Sequence, residues 1–326
     1  MPAGAPSAHA SSLVALSNHH TSAVAAAWFA GERESAPDVR IAFSSFDRAS
    51  QQWAPARYVV DRELLGASLG FGIRRLGNPV LWRDANDRLH LFVVGTGPGG
   101  WAASRIIHLQ QQGNSSLLDD IGFKPRQVLP LSWFWNISHL VRNSPLPLAD
   151  GGAVLPVYFE VGTKYPVIAT LSASGDFTGI ARISSRRNLL QPALVPIDEQ
   201  HWLAYMRMSG GTQRIASAET LDGGKHWRDL PDLPLPNPNA AVAAIRVGGT
   251  HALAFNPSIN SREVLSLALS EDGRNWNTVA QIEKGTAGDE FSYPSMAWAD
   301  DALWVSYTNR REKISWKRYE FAKESQ

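Results

Sequence analysis

The chain of 326 residues contains no cysteine, which excludes disulfides, thiolate nucleophiles and cysteine metal sites while leaving the compartment open. It also lacks an excess of either charge. Thirty-one Lys and Arg face thirty Asp and Glu, so no overall field favours a nucleic acid or another polyanion, although a local basic pocket remains compatible with that balance. No run is apolar and long enough to span a bilayer; the best candidate, Ser11 to Ala30, is broken by Asn18-His19-His20 and lacks a basic flank. An export leader, were the protein exported, is not expected within this sequence. The nine histidines include the pair His19-His20, yet no helix-spaced His/Glu pair accompanies it, so no metal or other cofactor is called for. Gly97-Pro98-Gly99-Gly100 reads as a plain loop, because no strand-to-helix context makes it a phosphate cradle.

What the chain has is 44% hydrophobic residues with twelve Trp, twenty-six Gly and twenty Pro, a mixture that suits many short strands joined by tight turns. Six segments repeat one pattern: an apolar strand, a polar turn and a second apolar strand. They begin at Ser11, Pro79, Pro145, Pro192, Ala241 and Pro294, and each reads as a β-hairpin. Six hairpins, each followed by further strand-like sequence, predict an all-β, six-bladed propeller of four-stranded antiparallel blades, a single domain over 1–326 with a short C-terminal tail and little helix.

A second repeat supports the period. Thr220-Leu221-Asp222-Gly223-Gly224-Lys225-His226-Trp227 and Ser270-Glu271-Asp272-Gly273-Arg274-Asn275-Trp276 share a hydroxyl, an Asp two residues on, Gly and a closing Trp. Weaker copies run from Ser45 to Trp53 and from Ser172 to Phe177. Asp capping a turn, Gly at positive φ and Trp packed between sheets make these structural elements, remote from chemistry.

In a propeller the inner strands run side by side around the axis, so residues just ahead of each converge on one mouth. Those residues are His9, Asn78, Arg142 with Asn143, Gln191, Asn239 and Tyr293, all polar although apolar strands follow. Near the ends of the second strands lie Glu32, Arg33, Glu34 and Asp38, then Arg207, Arg262, and Arg310 with Arg311. Arginines converging on a mouth suit an anionic ligand, because the planar guanidinium binds carboxylates bidentately.

The box residues resemble the Asp-box, or bacterial neuraminidase repeat, and from about His9 to about Arg318 the chain is similar to the sialidase superfamily, closest to its bacterial branch of predicted neuraminidases. That resemblance implies a six-bladed propeller and a retaining exo-glycosidase acting on a terminal acidic sugar. It implies Asp38 as acid/base, Tyr293 as nucleophile, Arg207 and Arg262 as carboxylate ligands, and Arg33 as a further contact. Asn78, Arg142, Asn143, Gln191 and Arg310 are the remaining substrate-binding candidates. A neutral phenol is a reasonable nucleophile where the anomeric carbon already bears a carboxylate that would repel another. Two positions depart from the pattern: His9 stands where the family has its first arginine and Gln191 where it has the glutamate base, which leaves Glu290 or Glu160 as candidate bases. Two other readings stay open. One is a uronate-directed lyase using His9 or His139 with Tyr293; the other is a non-catalytic carbohydrate-binding propeller with Trp101, Trp133 and Trp135 as sugar platforms.

Overall fold

The computed structural model describes residues 1, 4–113 and 118–321. The expected C-terminal tail beyond 321 lies outside the described residues. Six antiparallel sheets follow one another around an axis, and each predicted hairpin supplies the first two strands of one of them. The inner strands are Ser7–Ala15, Arg75–Arg83, a broken strand His139–Val141 with Leu146–Pro147, Leu189–Pro196, Ala243–Val247 and Phe291–Ala299. Blades two, four and five have four strands. Blade one splits its outermost position into two short strands, and blade three splits its innermost. Blade six differs from expectation, with three strands among the described residues.

No blade can bury both of its faces alone, and the core is accordingly six apolar clusters, one between each neighbouring pair of blades. Blades six and one close the ring with small residues: Ser11 Oγ meets Ser306 Oγ at 2.9 Å, and Leu13 N donates to Ser295 Oγ at 2.9 Å. Across the next seam Leu81 N donates to Ser12 Oγ at 3.0 Å. Among the described residues the one α-helix, Arg62–Leu69, is capped by Asp61, whose carboxylate accepts from Glu63 N and Leu64 N. No helix among these residues is long and apolar enough to cross a membrane.

The two boxed segments are tight turns at the end of the molecule opposite the mouth. In the first, Thr220 Oγ1 donates to Asp222 and accepts from Gly224 N, while Trp227 Nε1 donates to Gly224 O at 3.0 Å. In the second, Asp272 Oδ1 accepts from Arg274 N and Asn275 N, each at 2.8 Å. Trp227 packs against the cluster between blades three and four, Trp276 against the one between four and five. Gly273 shows why the turn needs glycine. Its φ is +70°, and a Cβ there would stand 2.4 Å from Leu203 Cδ1 and 2.6 Å from the Tyr205 hydroxyl, which itself donates to Gly273 O. Gly273→Ala is expected to lose about 2–4 kcal/mol of stability, combining left-handed strain with overpacking. Gly248→Ala, at φ +58° with open space around it, is expected to lose about 1 kcal/mol. Urea unfolding of both variants checks the difference; equal losses contradict it.

Candidate functional site

The inner strands do not run smoothly to the mouth. A one-residue bulge interrupts the pairing at His9/Ser12, Gly77/Val80, Leu190/Ala193 and Ser292/Ser295. Among the left-handed residues, Ala10, Asn78, Gln191 and Tyr293 lie at these points and Asn239 lies ahead of the inner strand of blade five. Four of these carry side chains that the sequence pattern singled out. In blade one the left-handed residue is Ala10, so His9 sits one position earlier than its counterparts, paired with Phe29. Blade three has a four-residue excursion in place of the bulge, from Arg142 to Pro145.

The polar side chains join into a belt that passes from blade to blade. Tyr158, on the second strand of blade three, accepts from Asn78 Nδ2 at 3.3 Å and from Gln191 Nε2 at 3.4 Å. Gln191 Oε1 accepts from Arg207 at 3.2 Å, and Arg207 Nε donates to Asn239 Oδ1 at 2.6 Å. Arg262 donates to Asn239 O at 2.9 Å and to Glu290 at 3.0 Å. Glu290 also accepts from Ser292 at 2.7 Å and from Arg311 Nε at 2.8 Å, and Arg311 reaches on to Glu34 in blade one. The belt therefore touches all six blades.

Several candidates hold different places from those the sequence suggested. Arg142 is buried, with its guanidinium on backbone carbonyls: Ser11 O at 3.0 Å, Pro294 O at 2.8 Å and Tyr293 O. It is a staple from blade three to blades one and six, lying 5.3 Å from the centre of the Tyr293 ring. Burial lowers it to about 10, against the opposing influence of Tyr293 and Tyr158. Asn143 is likewise buried, donating to Gln191 O and Pro192 O, both at 3.0 Å. Arg310 turns outward to Asp289 at 2.7 Å and is half exposed, whereas its neighbour Arg311 turns inward. Of these three residues, expected at the substrate, the first two bind backbone and the third binds Asp289.

Asp38 and Arg33 are exposed on the loop between the first two outward strands of blade one. Asp38 accepts from Glu32 N at 2.7 Å, and the Glu34–Arg311 pair ties this loop to the mouth. His9 is buried, its ring 4.4 Å from that of Tyr293 in an edge arrangement and 5.3 Å from Phe29, with neither ring nitrogen hydrogen-bonded. Burial first, then the charge of Arg311, holds its imidazole down to about 3, with Glu290 opposing. It is neutral at pH 7. Glu290 is the reverse case. Burial would raise it, but hydrogen bonds from Arg311 and Ser292 and the charges of Arg311 and Arg262 hold it down to about 2. A carboxylate that acidic, with its oxygens committed to arginine, positions guanidinium groups and is a poor proton acceptor for Tyr293.

Glu160 lies two residues beyond Tyr158, its amide bonded to Ser138 O. His139 is buried against Phe159 and held down to about 4 by burial. Trp101 lies over Gly77, where a Cβ would meet its ring at 2.8 Å. Trp133, Phe134 and Trp135 are fully to largely exposed on the connection from blade two to blade three. Among the described residues, no group of three or more His, Asp or Glu side chains is placed to hold a metal ion. Sequence reasoning missed Tyr158, Asn239 as a link between two arginines, and the inward turn of Arg311.

The BNR repeat-like domain model matches residues 22–305, most of the ring. The chain belongs to the BNR repeat-like domain family. Its fold is that of solved sialidases. A Hadza microbial sialidase superposes with a TM-score of 0.79 at 14% identity, covering 97% of this chain and 66% of its own. For Trypanosoma rangeli sialidase in complex with sialic acid the values are 0.70, 14%, 96% and 54%. A protein of unknown function from Dyadobacter fermentans, at TM-score 0.71 and 10% identity, is covered over 92% of its length and covers 94% of this one. The chain thus spans about half to two thirds of the sialidases it matches, and at such identities the likeness is one of fold. Comparison with curated protein sequences finds no match.

The pKa shifts predict an acid profile. His9 and His139, and His108 at about 3 by burial and the neighbouring charge of His90, all bind protons more weakly folded than unfolded. Their contribution to stability is complete above about pH 6.5 and is lost as pH falls towards 3. Glu290 adds a component present above about pH 4.5 and lost as pH falls through 2. Urea midpoints measured from pH 7 to pH 4 are expected to decline throughout; a flat profile over that range contradicts the burial of neutral imidazoles.

Proposed function

We propose that the mouth binds a terminal carboxylated sugar and that the chain cleaves its glycosidic bond. The observation that carries this reading is the set of guanidinium groups from Arg207, Arg262 and Arg311, held in one belt by Asn239, Gln191 and Glu290 around Tyr293 and His9. Three arginines against one interposed glutamate, with Glu34 on the outer side of Arg311, leave a local positive excess that a carboxylate would balance. In the proposed reaction the Tyr293 oxygen attacks the anomeric carbon as the glycosidic C–O bond breaks, and the leaving oxygen takes a proton from Asp38. Water then displaces tyrosine from the glycosyl intermediate, giving one proton to Asp38 while the departing Tyr293 oxygen takes back the proton it had released. The phenol proton of Tyr293 passes to solvent or to Glu160, since Gln191 has no acidic oxygen to receive it and Glu290 is held ionised by arginine.

A second reading is an eliminating lyase, favoured by the edge contact of His9 with Tyr293. The tyrosine protonates the departing oxygen. His9, an imidazole held down to about 3 and so a weak base like Glu290, orients the tyrosine ring while the proton next to a uronate carboxylate leaves to solvent. Incubation with fluorogenic sialosides and with uronate polymers, following release and double-bond formation in parallel, separates the two. Release without unsaturation supports hydrolysis, unsaturation supports elimination, and neither product contradicts both. Arg262→Met is expected to weaken binding of the reacting sugar about tenfold or more, the loss of a charged hydrogen-bonded contact, whereas Arg310→Met, facing Asp289, leaves it unchanged.

A further inference from the structure

We propose that the Tyr158 hydroxyl is the hydrogen-bond donor that the floor of the mouth presents to a bound sugar, and that Gln191 aims it there. The proposal rests on the reading of the mouth as a sugar site. Tyr158 belongs to an apolar strand, Ala153–Phe159, and is buried. Its hydroxyl lies between the left-handed residues Asn78 and Gln191 of the flanking blades.

The direction of the proton follows from counting donors. A phenol has one hydrogen to give and an oxygen that accepts. Arg207 has hydrogens to give and none to accept, so its 3.2 Å contact fixes the Gln191 carbonyl towards arginine and the Gln191 amide hydrogens towards Tyr158. Asn78 supplies the second amide donor. With its oxygen receiving both, the hydroxyl hydrogen of Tyr158 has no acceptor in the belt and is left for a ligand. Burial, then the nearby charges of Glu160 and Tyr293, pushes the phenol up, so the hydrogen is retained at neutral pH. The ligand class is an oxygen acceptor of the sugar: a hydroxyl, ring oxygen or carboxylate oxygen placed between Tyr158 and Tyr293. A carboxylate at position 191 would reverse the arrangement, taking the Tyr158 hydrogen itself.

That reversal is the test. Binding of N-acetylneuraminic acid and of glucuronic acid is measured by calorimetry for the wild type, Tyr158→Phe, Gln191→Glu and the double variant. Tyr158→Phe is expected to weaken the probe that the wild type binds about five- to tenfold, and to change affinity less than twofold in the Gln191→Glu background. Equal loss in both backgrounds, as a purely structural role would give, or no loss in either, overturns the proposal. If the wild type binds neither probe, the sugar-site reading fails, and the hydroxyl is judged without ligand. In a neutron structure, deuterium on Tyr158 directed between the amides into the mouth supports the assignment, and deuterium on the Asn78 or Gln191 oxygen overturns it.

Discussion

The left-handed residues at the inner strands of five blades are the constraint on which the mouth depends. Ala10, Asn78, Gln191, Asn239 and Tyr293 are not glycine, so each carries a conformational cost of about 1–2 kcal/mol. At four of them, all but Asn239, a bulge bends the inner strand and redirects side chains that a regular strand would aim at a neighbouring blade. The cost is offset where the redirected groups find partners. Asn78 and Gln191 meet on Tyr158, Asn239 links two arginines, and the Tyr293 carbonyl receives Arg142. Blade three is the exception that completes the ring. Its longer break carries Arg142, whose guanidinium reaches blades one and six, while the buried Tyr158 hydroxyl meets blades two and four.

Electrostatics then separates two kinds of polar group in one small space. Glu290 is charged because arginines surround it, and His9 is neutral because burial and the same arginines oppose its protonation. The arginines stay fixed in place without a ligand because Glu290, Asn239 and Gln191 hold them. A clamp arranged in advance loses little side-chain entropy on binding. Arg142, beneath this layer, binds only backbone oxygens and so serves the shape of the mouth.

The architecture was legible in the sequence because hairpins and boxed turns are local signals: each needs only a few adjacent residues. The residues at the heads of the inner strands were legible for the same reason, being polar just before an apolar run. Tyr158 was not, since nothing near it marks one ring in Ala153–Phe159 as polar; its role arises from Asn78 and Gln191 in the blades on either side. The exchange of Arg310 for Arg311 was equally hidden. Both lie in one turn with positive φ, at 55° and 61°, and the backbone alone decides which turns inward. His9 slipped by one position because Ala10, not His9, takes the left-handed place. Glu290 was found as an acidic neighbour of Tyr293, but its pairing with Arg262 and Arg311 depends on a loop 28 residues upstream and a turn 21 residues downstream.

The central claim is that this mouth holds a carboxylate among arginines. A crystal structure of the full chain with a bound carboxylated monosaccharide tests it most directly. The account predicts the ligand carboxylate between Arg207 and Arg262, with Arg311 alongside and the sugar ring over Tyr293. A carboxylate elsewhere on the molecule, with the belt of Arg207, Asn239, Arg262 and Glu290 left uncontacted, would contradict it.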